Sequence, residues 1–308
     1  MDSAAASGAS SPGPEGVAMP GSARRYAACL GLAIALALAA AAPARACGAE
    51  TDCTLPMGSY RLAAPPGPPR GAVVFLHGYG GAPAGVMANG ALRAALAARG
   101  YALVAPAALP AAPGRPAAWN STGDPRRRDD AAFILSVAED AGRRLGLARG
   151  RMLLAGFSGG GMMVWRLACR SGDAFPAYAP VAGVPWRPLP ADCLGPVRLL
   201  HMHGWTDRVV PLEGRAVAGG ALVQGDLFAA LALMRRAAGC AGDAPDAAWL
   251  RGALMLRRWD SCRPGGEIML VLHPGGHLVP PEWPALVLDW FEAGSGSCLR
   301  PATAASTC

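Results

Sequence analysis

The chain has 308 residues, 52% of them hydrophobic and 16% charged, with a formal net charge of +7. All 28 basic residues are arginine, and no basic block interleaves with aromatic residues, so composition gives nucleic-acid binding no support. Attraction to anionic polymers or envelope surfaces stays open, and one large α/β domain is affordable at this length.

Residues 1–46 read as a leader. Arg24 and Arg25 precede an apolar run from Tyr26 to Ala42, and Pro43-Ala44-Arg45-Ala46 ends in an A-x-A cleavage pattern. These are the marks of a secretory signal peptide, with Met19 as an alternative start. Cleavage leaves residues 47–308 as a single catalytic domain without stable membrane insertion, secreted or periplasmic. Gly58 to Ala64 predicts an edge strand, and Pro65 to Arg70 a turn. Core strands are expected at Val73–Leu76 and Ala102–Ala105, joined by a helix over Ala84–Ala98. Pro106 to Arg128 is a long irregular loop carrying Trp119 and Asn120. Asp129 and Asp130 predict N-caps for a helix running to about Leu147.

Further strands near 152–155, 177–181, 197–203 and 267–272 alternate with helices at 160–170, 227–238 and 282–293. Such alternation predicts an α/β fold, a mostly parallel central sheet with helices on both faces. Reactive groups then gather at the carboxyl ends of the strands.

The strand Met152–Ala155 runs into Gly156-Phe157-Ser158-Gly159-Gly160 and then a helix. That is the G-x-S-x-G nucleophile elbow in its required setting, strand before and helix after. A serine hydroxyl needs a base, and the base needs an acid to orient it. Of five histidines, His273 and His277 follow the predicted strand at 267–272. His277, after Pro274-Gly275-Gly276, is the expected base, and His273 is read as structural. The acid is expected at Asp207, in the loop after the 197–203 strand; Asp226 and Asp260 compete but follow no clear strand end. For the oxyanion hole the candidates are the backbone N–H of Gly159 and that of Tyr79, with Gly80 second. Trp119, Trp205 and Tyr79 are candidates for lining the substrate pocket.

The motifs LHGYGG at 76–81, Trp119-Asn120, GFSGGGMM at 156–163, PVAG at 180–183, HGWTDRVVP at 203–211 and GGH at 275–277 occur together in this order. The chain thereby resembles, over residues 57–293, the polyhydroxybutyrate depolymerase/feruloyl esterase family of secreted esterases. The resemblance implies an α/β-hydrolase fold, serine esterase activity without a cofactor, and Ser158, Asp207 and His277 as nucleophile, acid and base. Its substrate would be an ester, free or within a polymer, such as polyhydroxyalkanoate oligomers or feruloyl and acetyl esters of plant polysaccharide. A serine peptidase of the same fold and a non-catalytic polymer-binding protein are the competing readings.

Loss of Cys29 with the leader leaves Cys47, Cys53, Cys169, Cys193, Cys240, Cys262, Cys298 and Cys308. An even count in an exported chain predicts disulfides, and proximity suggests pairing neighbours: 47–53, 169–193, 240–262 and 298–308. No Cys/His cluster has zinc spacing, so no metal is expected.

Overall fold

The computed structural model of the protein describes Gly13 and residues 47–294. Apart from Gly13, the expected leader lies outside the described residues, as do Cys298 and Cys308. The strands are β1 (Cys53–Leu55), β2 (Gly58–Ala63), β3 (Gly71–Leu76), β4 (Tyr101–Pro106), β5 (Leu109–Pro110), β6 (Ala117–Ala118) and β7 (Met152–Phe157). They continue as β8 (Tyr178–Val181), β9 (Arg198–Gly204), β10 (Ala216–Val217), β11 (Leu222–Val223), β12 (Ala247–Arg251), β13 (Leu254–Trp259) and β14 (Glu267–His273). The helices are α1 (Pro83–Ala88), α2 (Gly90–Ala98), α3 (Asp130–Leu145), α4 (Gly159–Arg170), α5 (Leu227–Ala238) and α6 (Trp283–Ala293).

Ten strands form one sheet in the order β1-β2-β4-β3-β7-β8-β9-β14-β13-β12. From β4 through β14 every neighbouring pair is parallel. Antiparallel ribbons close both margins, β1 and β2 at one and β13 and β12 at the other. This is the doubly covered α/β sheet expected from the alternating pattern. Strand β2 is not the edge: β1 pairs outside it and is tied back by the Cys47–Cys53 disulfide.

Parallel strands buried on both faces read as unbroken apolar runs. Along β3, Ala72, Val74 and Leu76 pack into one layer with Phe133, Val137, Trp165 and Leu231. The alternate residues Val73 and Phe75 pack into the other, with Leu96, Trp283 and Leu286. Thus α3, α4 and α5 cover one face of the sheet and α1, α2 and α6 the other. Burying each such side chain contributes about 1.5–3 kcal/mol, which makes this double layer the main source of stability.

The expected helix over 84–98 is two helices. Asn89 ends α1 and caps α2, its side-chain oxygen accepting from the Leu92 amide at 3.0 Å. Asp129 caps α3 through the amides of Ala131 and Ala132. Asp130, expected to share that role, is instead buried: it accepts from the Asn120 amide at 2.6 Å and pairs with Arg128. It therefore pins the long 106–128 segment to the helix. Three disulfides link Cys47–Cys53, Cys169–Cys193 and Cys240–Cys262, the bonding of an oxidising compartment. Among the described residues no helix is long and apolar enough to cross a membrane.

Candidate active site

Ser158 stands between β7 and α4 with φ 55° and ψ −119°. A non-glycine residue pays about 1–3 kcal/mol for such a conformation, which persists only where its surroundings enforce it. The flanking glycines do so by close approach. A Cβ on Gly156 would lie 2.7 Å from the Gly160 backbone, and one on Gly160 would lie 2.2 Å from the Leu76 carbonyl oxygen. The elbow is thus pressed against the end of β3 and holds the serine hydroxyl above the sheet edge.

Loops at the ends of β9 and β14 bring two further side chains to that hydroxyl. His277 Nε2 lies 2.9 Å from Ser158 Oγ, and His277 Nδ1 lies 2.7 Å from Asp207 Oδ2. The other Asp207 oxygen accepts from the amides of Val209 at 2.8 Å and Val210 at 2.9 Å. Burial alone would raise the Asp207 carboxyl. Hydrogen bonds from His203, the Val210 amide and His277 outweigh it and hold the group well below the usual carboxylate range. The competing acids are engaged elsewhere: Asp226 caps α5, and Asp260 pairs with Arg258 at 3.0 Å. His273 is buried, and its Nδ1 accepts from the Gly275 amide at 3.1 Å, shaping the turn that aims His277.

Behind Asp207 lies a buried polar line that motif matching does not find. Trp165 Nε1 donates to His201 Nδ1 at 3.2 Å, and His201 Nε2 lies 2.9 Å from His203 Nδ1. His203 Nε2 then meets the Val210 carbonyl at 2.7 Å and Asp207 Oδ2 at 3.4 Å. A carbonyl only accepts and an indole N–H only donates, so the whole line is directional. Both imidazoles are neutral with the proton on Nε2, and each donates toward the acid loop. Burial pushes His201 well below the ordinary histidine value of 6.5. The signal was present in the sequence: residues two apart on a strand share a face, and His201 and His203 both sit on β9.

The loop after β3 faces the elbow. A Cβ on Gly159 would lie 3.3 Å from the Tyr79 amide nitrogen, so the two candidate oxyanion donors are neighbours. The Gly80 amide is already committed to the Ala117 carbonyl at 2.8 Å, and no described residue accepts from the Tyr79 amide. His77 braces this loop: its Nδ1 donates to the Gly78 carbonyl at 2.8 Å and its Nε2 accepts from the Ala108 amide at 3.1 Å. Trp119 is 4% exposed, and its indole N–H donates to the His77 carbonyl at 2.8 Å. Its position is that of a prop under the loop and not a pocket wall. Trp205 is 45% exposed in the turn just before Asp207. Tyr79, Val209 and Leu278, on the three loops that carry the site, are exposed as well.

Two cavities flank the elbow. One, of about 440 Å³, is lined by Phe75, Gly78, Phe157, Val279 and Pro280, with the His277 ring 4.8 Å from that of Phe157. The other, of about 430 Å³, runs beside α4 past Met162. Among the described residues, no group of three or more His, Cys, Asp or Glu is arranged to hold a metal ion.

No protein-family profile matches the sequence. A putative esterase, NocK, of Nocardia uniformis subsp. tsuyamanensis is 32% identical over 171 residues, which is 52% of this chain and 48% of that protein. The chain thus spans about half the length of the curated relative it matches. Among solved structures, an acetyl xylan esterase from Aspergillus awamori superposes with a TM-score of 0.56 at 14% identity, covering 76% of this chain and 93% of that one. A carboxylesterase from Mesorhizobium loti gives a TM-score of 0.50 at 19% identity, covering 78% of this chain and 98% of that one. At such identities the likeness is one of fold, and with the sheet order and the strand–serine–helix elbow it makes this chain an α/β-hydrolase fold.

Proposed function

We propose that the protein is a serine hydrolase of carboxylic esters, with Ser158 as nucleophile, His277 as base and Asp207 as the orienting acid. The observation that carries the reading is the unbroken hydrogen-bond chain from Ser158 through His277 to a buried, ionised Asp207. In this mechanism Ser158 Oγ bonds to the ester carbonyl carbon while His277 Nε2 takes the hydroxyl proton. The carbonyl oxygen, now negative, is received by the N–H groups of Tyr79 and Gly159. The carbon–oxygen ester bond breaks, the departing alcohol takes the proton from His277, and the acyl-enzyme remains. Water repeats the sequence, releasing the acid and restoring Ser158. Asp207 fixes the tautomer that leaves Nε2 free to accept, and stabilises the imidazolium as it forms.

Within this reading, polyhydroxyalkanoate oligomers and feruloyl or acetyl esters of polysaccharide are the substrate classes that the motif resemblance suggests. The exposure of Tyr79, Trp205, Val209 and Leu278 on the loops of the site suits an apolar or aromatic substrate presented at a surface. The three disulfides agree with export of the mature chain. The test uses full-length mature protein, residues 47–308, with p-nitrophenyl butyrate, methyl ferulate and emulsified polyhydroxybutyrate, beside a panel of peptides. Turnover of an ester that Ser158→Ala abolishes without loss of fold is the expected result. Peptide cleavage without ester cleavage would establish the peptidase, and ester turnover persisting in Ser158→Ala would remove Ser158 from the mechanism.

A further inference from the structure

Helix α4 begins just after the candidate nucleophile and carries a groove along one side. Met162, Trp165, Arg166, Cys169 and Arg170 follow the i, i+3, i+4, i+7, i+8 spacing of a single helical face, and all of them line the 430 Å³ cavity. At 1.5 Å per residue, Met162 stands about 6 Å from Ser158 along the axis and Arg170 about 18 Å. The groove therefore starts one turn from the nucleophile and leads away from it. Its opposite wall is the segment after β8, with Pro185, Trp186 and Arg187. That segment is anchored at the elbow, where a Cβ on Gly183 would lie 2.4 Å from the Ser158 carbonyl oxygen. Trp186 is held by donating to Ser121 Oγ at 2.9 Å, and the Cys169–Cys193 disulfide fixes the far end.

The walls are apolar and the charge is of one sign. Three arginines line the groove and no aspartate or glutamate does. The side-chain bonds of Arg166 and Arg187 go to the backbone carbonyls of Thr122 and Glu213, at 3.4 and 3.3 Å, so no described carboxylate neutralises either. Arg170 is exposed at the last turn of α4. Arg166 and Arg170 stand about 12 and 18 Å along the axis from Ser158, beyond the apolar start of the groove at Met162 and Trp165. A guanidinium selects a carboxylate through paired N–H donors, while Met and Trp walls select hydrocarbon.

We propose that this groove binds the chain of the substrate ester, and that the chain is apolar toward the reacting carbon and carries a carboxylate farther along, where Arg166, Arg170 and Arg187 line the groove. The inference rests on Ser158 being the nucleophile, since only then does the groove lead away from the reacting carbon. Binding can be measured without turnover. In Ser158→Ala, decanoate is expected to bind at least about tenfold more tightly than neutral decanamide by calorimetry, with an affinity that falls as salt rises. The triple variant Arg166→Gln/Arg170→Gln/Arg187→Gln, on the same background, is expected to erase that preference while circular dichroism and thermal unfolding stay those of a folded protein. In the wild type, decanoate is expected to inhibit ester hydrolysis competitively. Equal binding of acid and amide, or a preference untouched by the arginine substitutions, would overturn the proposal; non-competitive inhibition would separate the groove from the site. Should the wild type turn over no ester, the hydrolase reading fails, and the groove still stands or falls on the calorimetry.

Discussion

Asp207 accepts from two backbone amides, from His277 and at longer range from His203. An acid held this way cannot rotate, and its fixed oxygen is what aims His277 at Ser158. His203 secures the arrangement from behind by donating to the Val210 carbonyl at 2.7 Å, which fixes the loop whose amides grip Asp207. It is a positioning residue, since it touches neither Ser158 nor His277. His203→Ala should cost about 1–3 kcal/mol of stability from the buried groups left unpaired. It should lower kcat on the order of tenfold to a hundredfold with little change in KM, the signature of a misplaced catalytic group. His203→Gln keeps an N–H donor on a side chain of similar reach and should recover part of the lost kcat. Steady-state kinetics on both variants decide the matter: a loss in KM alone, or equal loss in both, would assign His203 to packing.

At the scale of elements, the site depends on how closely β3, β7 and α4 approach. Gly160 of α4 has no room for a methyl group, because the Leu76 carbonyl oxygen would lie 2.2 Å from it and backbone on a central strand cannot yield. Gly160→Ala should therefore destabilise by about 1–3 kcal/mol or more and displace Ser158, lowering kcat. Gly150→Ala, where nothing lies within 4 Å of the added carbon, should stay within about 0.5 kcal/mol of wild type. Denaturant unfolding of the two variants checks the contrast. The same packing explains what the sequence disclosed. Strands β3, β7, β9 and β14 are buried along nearly their whole length, so they read as apolar runs, and motifs at their ends pointed to Ser158, Asp207 and His277, which the fold brings within hydrogen-bond reach of one another. Strands β12 and β13 were not legible: Ala247–Arg251 alternates half-buried and exposed residues at the sheet margin, and Arg257 and Arg258 interrupt the next. The supports of the site were hidden for another reason. Trp119 and His77 act through contacts 31 and 42 residues apart in sequence, which no local pattern announces; the i, i+2 spacing of His201 and His203 shows that they share a strand face, but not their partners Trp165 and Val210.

For the molecule as a whole, buried histidines make the fold sensitive to mild acid. Burial lowers the pKa of His201, His77 and His273 below the ordinary 6.5. The unfolded chain takes up protons at these positions as pH falls through about 6.5, while the folded protein does not until its lower values are reached. Between those limits the unfolded state binds more protons, so stability is full above the unfolded value and is lost as pH falls. Each histidine contributes a slope of up to about 1.4 kcal/mol per pH unit, and His201, fully buried between Trp165 and His203, should approach that limit. The carboxylate of Asp207 acts in a separate window. Its folded pKa lies below the ordinary aspartate value of 3.8, so its contribution is lost only as pH drops below about 4. Unfolding free energy measured by denaturant should therefore decline from about pH 6.5 to about pH 5, before any carboxylate is involved. His201→Gln should be less stable at neutral pH yet show a shallower decline, because one proton-excluding site is gone. A flat profile in the wild type over that range would mean that the histidines are protonated in the fold, and the neutral, directional line from Trp165 to the acid loop would have to be abandoned.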